Sequence, residues 1–144
     1  MKILILNGPS LNLLGKRNPD IYGQESLEDI EEKLLIEAQK LDIDLQFEQS
    51  NHEGELIDIL QKNIDCDGVI FNPGAFTHTS IAIADAIESI KTPTIEVHLS
   101  NIYAREEFRA HSYIAPVSVG QICGFGPSGY LAALTLIHEH IQNK

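Results

Sequence analysis

Five short runs of β-forming residues alternate along this chain with segments whose apolar residues recur at helical spacing, and few folds accommodate that alternation. The strand-like runs are residues 2–6, 43–48, 67–71, 94–99 and 117–123. The first ends at Asn7-Gly8-Pro9 and the third at Asn72-Pro73-Gly74, both turn-forming strings. Between them, Ser26 offers a helix N-cap, with Asp29 three positions on as a weak capping-box partner. Leu27, Ile30, Leu34, Ala38 and Leu41 then follow a helical period. Leu56, Ile59, Leu60 and Ile64 form a second stripe, and residues 80–90 and 130–140 carry two more helices. Strands and helices in alternation imply right-handed βαβ units, hence a parallel sheet covered on both faces. Such sheets bind ligands at the carboxyl ends of their strands.

Nothing in the chain suggests an internal boundary, so residues 1–144 are read as one domain. With 43% hydrophobic and 22% charged residues it has the material for a core without disulfides or metal staples. Its two cysteines, Cys66 and Cys123, form no CxxC unit and are expected to be free buried thiols. A net charge of -11 makes nucleic acid a poor partner. A few arginines can still give a pocket a local potential of the opposite sign, so a small anion remains open. Residues 1–7 are too short an apolar start for a signal peptide, and no run reaches membrane-spanning length. A cytoplasmic location without membrane partners is the expectation.

The polar residues that could do chemistry cluster after the strands. The stretch from 8 to 25 contains Gly15, Pro19 and Gly23 and reads as a loop, long enough to suggest an active-site lid. It holds Arg17 and Tyr22. An arginine beside a tyrosine hydroxyl favours the phenolate, a general base; alternatively Tyr22 packs the loop and Arg17 is solvated. Asn72 to Ser80 sits between a strand and a helix, where backbone N–H groups bind anions. Asn72 and His78 could add hydrogen bonds there, while Thr79 or Ser80 caps the helix. Alternation puts Glu96, His98 and Ser100 on one face of the fourth strand. Central parallel strands are normally apolar on both faces, so charge there suggests a pocket. Glu96 could orient His98, and His98 could donate a proton. Arg105 and Arg109 share a face if that piece is helical, and could clamp a carboxylate or pair with Glu106 and Glu107.

Familiar cofactor motifs are absent. No G-x-G-x-x-G, P-loop, HExxH or G-x-S-x-G string occurs. His78, His98 and His111 could gather around zinc, but their spacing is not diagnostic.

Taken in order, NGP at 7–9, LNLLGKR at 11–17, IYG at 21–23, QSNHEGELID at 49–58 and NPGAFTHTS at 72–80 closely resemble type II 3-dehydroquinate dehydratase. IEVHLSN at 95–101 and AREEFRAHSYIAP at 104–116 extend the likeness over nearly the whole chain. The resemblance implies a flavodoxin-like, three-layer α/β subunit with a five-stranded parallel sheet, assembled as a homo-oligomer, a dodecamer of trimers. It implies dehydration of 3-dehydroquinate to 3-dehydroshikimate, a step of the shikimate route to aromatic amino acids. The elimination is anti, through an enolate, without metal, organic cofactor or lysine Schiff base. By position, Tyr22 resembles the base, Arg17 its activating partner, and His98 the general acid with Glu96 behind it. Asn72, His78, Leu99, Ser100 and Arg109 resemble substrate binders. Asp85 resembles the residue that reaches a neighbouring subunit's site, and Arg105 one that shapes the lid.

Three positions depart from the family pattern. Ser10 stands where asparagine is usual, Phe76 where tyrosine is common, and Ala84 where arginine is common. Serine presents fewer hydrogen-bonding groups than asparagine, so Ser10 is an accessory site position. Two other classes stay open: a non-catalytic module that binds small carboxylates on the same fold, and a flavodoxin-like electron carrier. The first could lose Tyr22 and Arg17; the second lacks the usual flavin phosphate loop.

Overall fold

The computed structural model describes all residues, Met1–Lys144. Five parallel strands, β1 (Lys2–Asn7), β2 (Asp44–Gln49), β3 (Gly68–Asn72), β4 (Thr94–His98) and β5 (Gly120–Cys123), lie in the order β2-β1-β3-β4-β5. That is the flavodoxin-like arrangement, whose chain reverses direction across the sheet between β1 and β3.

The helices follow the sequence signals closely. Helix α2 (Leu27–Lys40) starts at Ser26, whose hydroxyl accepts from Asp29 N at 3.1 Å. The Asp29 carboxylate accepts from Ser26 N at 2.9 Å, completing the capping box. Its buried residues Leu27, Ile30, Leu34 and Ala38 join α5 (Ser128–Gln142) on one face of the sheet, against Ile3, Ile5, Ile70, Ile95 and Val97. On the other face, α3 (Glu53–Lys62) and α4 (Ile81–Ile90) cover Leu4, Leu6, Val69 and Phe71. Each fully buried aliphatic side chain contributes about 1.5–3 kcal/mol from water exclusion. The side-chain alternation that sends Ile95 and Val97 to the first face sends Glu96 and His98 to the second.

Several boundaries differ from the sequence reading. Helix α3 stops at Lys62, so Ile64 lies beyond it and is 53% exposed. Residues 115–117 form a 3-10 turn, which delays β5 to Gly120. The stretch 8–25 is not simply a loop. It contains a 3-10 turn at Leu11–Leu13 and a one-turn helix, α1 (Pro19–Tyr22), with proline at its start. Arg105 and Arg109 do not share a helix: separate 3-10 turns span Ile102–Ala104 and Glu107–Arg109.

Two of the strand-end turns are locked together. Gly8 N donates to Asn72 O at 2.8 Å, and a β-carbon on Gly8 would meet Pro73 O at 2.5 Å. Only glycine permits that approach, which holds together the turns after β1 and β3.

Candidate active site

The carboxyl ends of β1, β3 and β4 open into one pocket. It is lined by Ser10, Arg17, Tyr22, Asn72, His78, His98, Leu99, Ser100, Arg105 and Arg109, with Pro9, Leu11, Gly74, Ala75 and Ile102 between them. Segments separated by up to about a hundred residues in sequence thus meet where the βαβ topology sends their strand ends.

At one wall, Arg17 Nη2 donates to the Tyr22 hydroxyl at 3.1 Å. The Arg17 guanidinium carbon also lies 4.4 Å from the Tyr22 ring centroid, and that of Arg105 lies 5.2 Å away. Two cations therefore face one tyrosine, which stands at the end of the single turn of α1. The alternative of a merely solvated Arg17 does not describe this geometry.

His98, which also lines the pocket, is backed by Glu96. Its carboxylate is fully buried, and Oε1 accepts from His98 Nε2 at 2.8 Å, Thr77 Oγ1 at 2.8 Å and Ser112 Oγ at 2.9 Å. Oε2 accepts from Gln121 Nε2 at 2.9 Å. Burial opposes the charge, but hydrogen bonds from His98, Thr77 and Ser112, with the charge of His98, hold the carboxyl below its ordinary 4.5. A fixed anion on Nε2 orients His98 so that Nδ1 is the nitrogen left for a ligand.

His78 stacks near His98, with ring centroids 6.3 Å apart. Its Nδ1 donates to the His111 carbonyl at 2.8 Å. Burial lowers its basicity; that hydrogen bond works against the shift, while His98 and Arg109 add to it. His78 is thereby kept neutral at pH 7, with Nε2 as its remaining polar atom. His111 instead packs edge-on against Tyr113 at 4.5 Å, so the three histidines do not converge on a point that would suit zinc.

Arg109 Nε donates to Glu106 at 2.7 Å, and Arg105 Nε lies 3.8 Å from the same carboxylate. Arg105 also donates to Ser100 Oγ at 3.3 Å. Both arginines thus line the pocket, and both lie against Glu106, the pairing that the sequence left as the alternative to a carboxylate clamp. Asp85 is the one site candidate not brought in; it is exposed on α4, away from the pocket of its own subunit.

Sequence reasoning missed the supporting residues. The buried Tyr130 hydroxyl donates to Asn7 Oδ1 at 2.6 Å and accepts from Asn72 Nδ2 at 2.9 Å, while Asn72 Oδ1 accepts from Gly74 N at 3.1 Å. This leaves the Asn72 amide no freedom to flip. Gln49 and Asn51 prop the first loop: Gln49 Nε2 donates to Gly8 O at 3.1 Å, and Ser10 N donates to Asn51 Oδ1 at 2.9 Å. The need of a buried tyrosine for a polar partner was a signal available for Tyr130.

This is a doubly wound α/β protein with three arginines and two histidines lining a pocket at its strand ends, side chains whose chemistry suits a small anion and proton exchange. A family model described as Dehydroquinase class II matches residues 1–138, and the chain belongs to that family. It is 58% identical over 135 residues to 3-dehydroquinate dehydratase from Pelotomaculum thermopropionicum, covering 93% of this chain and 94% of that protein. It is 53% identical over 144 residues to the Exiguobacterium sp. protein of the same name, covering 100% and 99%. The crystal structure of type II dehydroquinase from Butyrivibrio crossotus superposes with a TM-score of 0.93 at 45% identity, covering 95% of this chain and 97% of that one.

Proposed function

We propose that this chain is a single catalytic domain that dehydrates 3-dehydroquinate to 3-dehydroshikimate in the shikimate route, by anti elimination through an enolate. The observation that carries the mechanism is the pairing of Arg17 with the Tyr22 hydroxyl in the pocket that also holds His98 of the Glu96–His98 dyad.

Tyr22, as the phenolate, takes the proton next to the ketone. Arg17 donates to its oxygen and stabilises the negative charge that moves onto the substrate. The carbon-bound proton is only weakly acidic, so preorganised donors around the enolate lower the barrier. A hydroxyl leaves poorly without a proton, and His98 supplies one from Nδ1 while Glu96 holds the ring through Nε2. Asn72, His78, Leu99, Ser100 and Arg109 hold the substrate, with Arg109 available to its carboxylate. Ser10, which lines the pocket, is an accessory position, and Arg105, whose guanidinium lies over the Tyr22 ring, shapes the pocket wall. Residues 8–25 act as a lid that excludes water when the ring is bound. Asp85 acts on a neighbouring subunit's site, in a dodecamer of trimers located in the cytoplasm. Side chains supply every step in this reading.

A binding module would have no use for an arginine aimed at a tyrosine hydroxyl, which favours the enzyme. The test is growth of enone absorbance on mixing the protein with 3-dehydroquinate, with chelator and borohydride as controls. Turnover indifferent to both reagents supports the reading. A well-folded protein that binds 3-dehydroquinate without turning it over overturns it.

A further inference from the structure

Strands β4 and β5 pair in parallel with Glu96 opposite Gln121, so the two side chains emerge side by side on the same face of the sheet. Gln121 Nε2 donates to Glu96 Oε2 at 2.9 Å, and Gln121 Oε1 accepts from the Tyr103 hydroxyl at 2.7 Å. Thr77 donates to Oε1 alone, and the Ser112 hydroxyl lies 2.9 Å from Oε1 and 3.1 Å from Oε2 with one proton to share between them, so Gln121 is the only N–H donor to Oε2. The amide would repel the carboxylate if it turned over. The carboxylate therefore sets the amide's orientation, and the Tyr103 hydroxyl, which could pair with either end of an amide, holds its far end in place. Tyr103 lies in the 3-10 turn two residues before Arg105, so the chain of bonds runs from the pocket-forming loop to the dyad. Gln121 itself does not line the pocket.

We propose that Gln121, set by Tyr103, is a positioning residue for the dehydration: it keeps Glu96 ionised and aligned behind His98. This rests on the proposed acid role of His98. The titratable groups facing Glu96 are His98 on its own strand, His78 from the 3-10 turn after β3, and Cys123 from β5. None of them can replace the amide, since each is committed elsewhere or lacks a second donor aimed at Oε2. Loss of the donor makes the Glu96 anion less favourable, so Glu96 takes up its proton at higher pH.

The test is kcat and KM for 3-dehydroquinate as a function of pH, for wild type, Gln121→Met and Tyr103→Phe. Methionine keeps the length without the amide; Tyr103 is exposed, and its phenylalanine variant removes only a hydroxyl. The expected result is a kcat about tenfold lower in Gln121→Met with KM unchanged, and an acid limb of kcat moved to higher pH. Tyr103→Phe should move both in the same sense by less. Profiles of both variants that superpose on an active wild type overturn the Gln121 assignment alone, as does a raised KM with kcat and its acid limb unchanged. An inactive wild type overturns both this assignment and the proposed dehydration on which it rests.

Discussion

Glu96 carries no exposed surface, yet every donor around it points inward. Removing its charge while leaving those donors in place should be costly: Glu96→Gln is expected to lower stability by about 1–3 kcal/mol, read from urea unfolding, and to reduce turnover. The same residue makes the fold acid-sensitive, together with His78. Both have folded-state values below their ordinary 4.5 and 6.5, so the unfolded chain takes up protons first as pH falls. The stability contributed by His78 is present above 6.5 and declines below it; that of Glu96 is present above 4.5 and is lost as pH falls through its lower folded value. Urea midpoints measured from pH 7.5 downward should therefore fall in two stages, and Glu96→Gln should weaken the second, to which the lowered carboxyls of Asp29 and Glu106 also contribute. The presence of Glu96 and His98 on one strand face was legible in the sequence, because period-two alternation places them there without any knowledge of the fold. Thr77, Ser112 and Gln121 were not legible: their hydrogen bonds depend on which strands pair and on where a 3-10 turn lies.

At the scale of elements, the helices were readable because caps and apolar stripes are local. Ser26 with Asp29 marks the start of α2, and Ser80 caps α4 by accepting from Ile83 N at 2.9 Å. Leu34 sits at the centre of the α2 stripe with no exposed surface, and Leu34→Ala should cost about 2–5 kcal/mol in the same unfolding measurement. Segment 8–25 was harder, since α1 has only one turn and its period is too short to register. Ser10 in that segment adopts φ 68°, the left-handed region. Asparagine suits that region better than serine, which gives the family's usual residue a backbone reason as well as a hydrogen-bonding one. Ser10→Asn should keep or raise turnover and raise the thermal midpoint slightly. A marked fall in kcat would show that serine is adapted to this pocket. The helical pairing expected for Arg105 and Arg109 failed because Arg105 is extended between two 3-10 turns; Glu106 and the pocket bring the two guanidiniums together instead.

For the whole molecule, a net charge of -11 surrounds a pocket with three arginines. The opposite signs give the pocket a local attraction for an anionic substrate that salt should weaken. No helix is long and apolar enough to cross a membrane. The parallel sheet follows from alternating elements, so the fold class was legible before any coordinate; the strand order was not, because several doubly wound sheets share that alternation. Assembly is an expectation that rests on family resemblance alone, and Asp85, exposed on α4, does not line the pocket. If Asp85 completes a neighbouring site, dilution that dissociates the oligomer should reduce specific activity, measured alongside sedimentation. The account's central claim is that Tyr22 removes a proton from bound substrate. The most direct measurement compares enone formation from 3-dehydroquinate by wild type and Tyr22→Phe, with substrate affinity measured on both. The account predicts a loss of kcat of about 10²–10⁴-fold at nearly unchanged affinity. A Tyr22→Phe variant that turns over at the wild-type rate would contradict it.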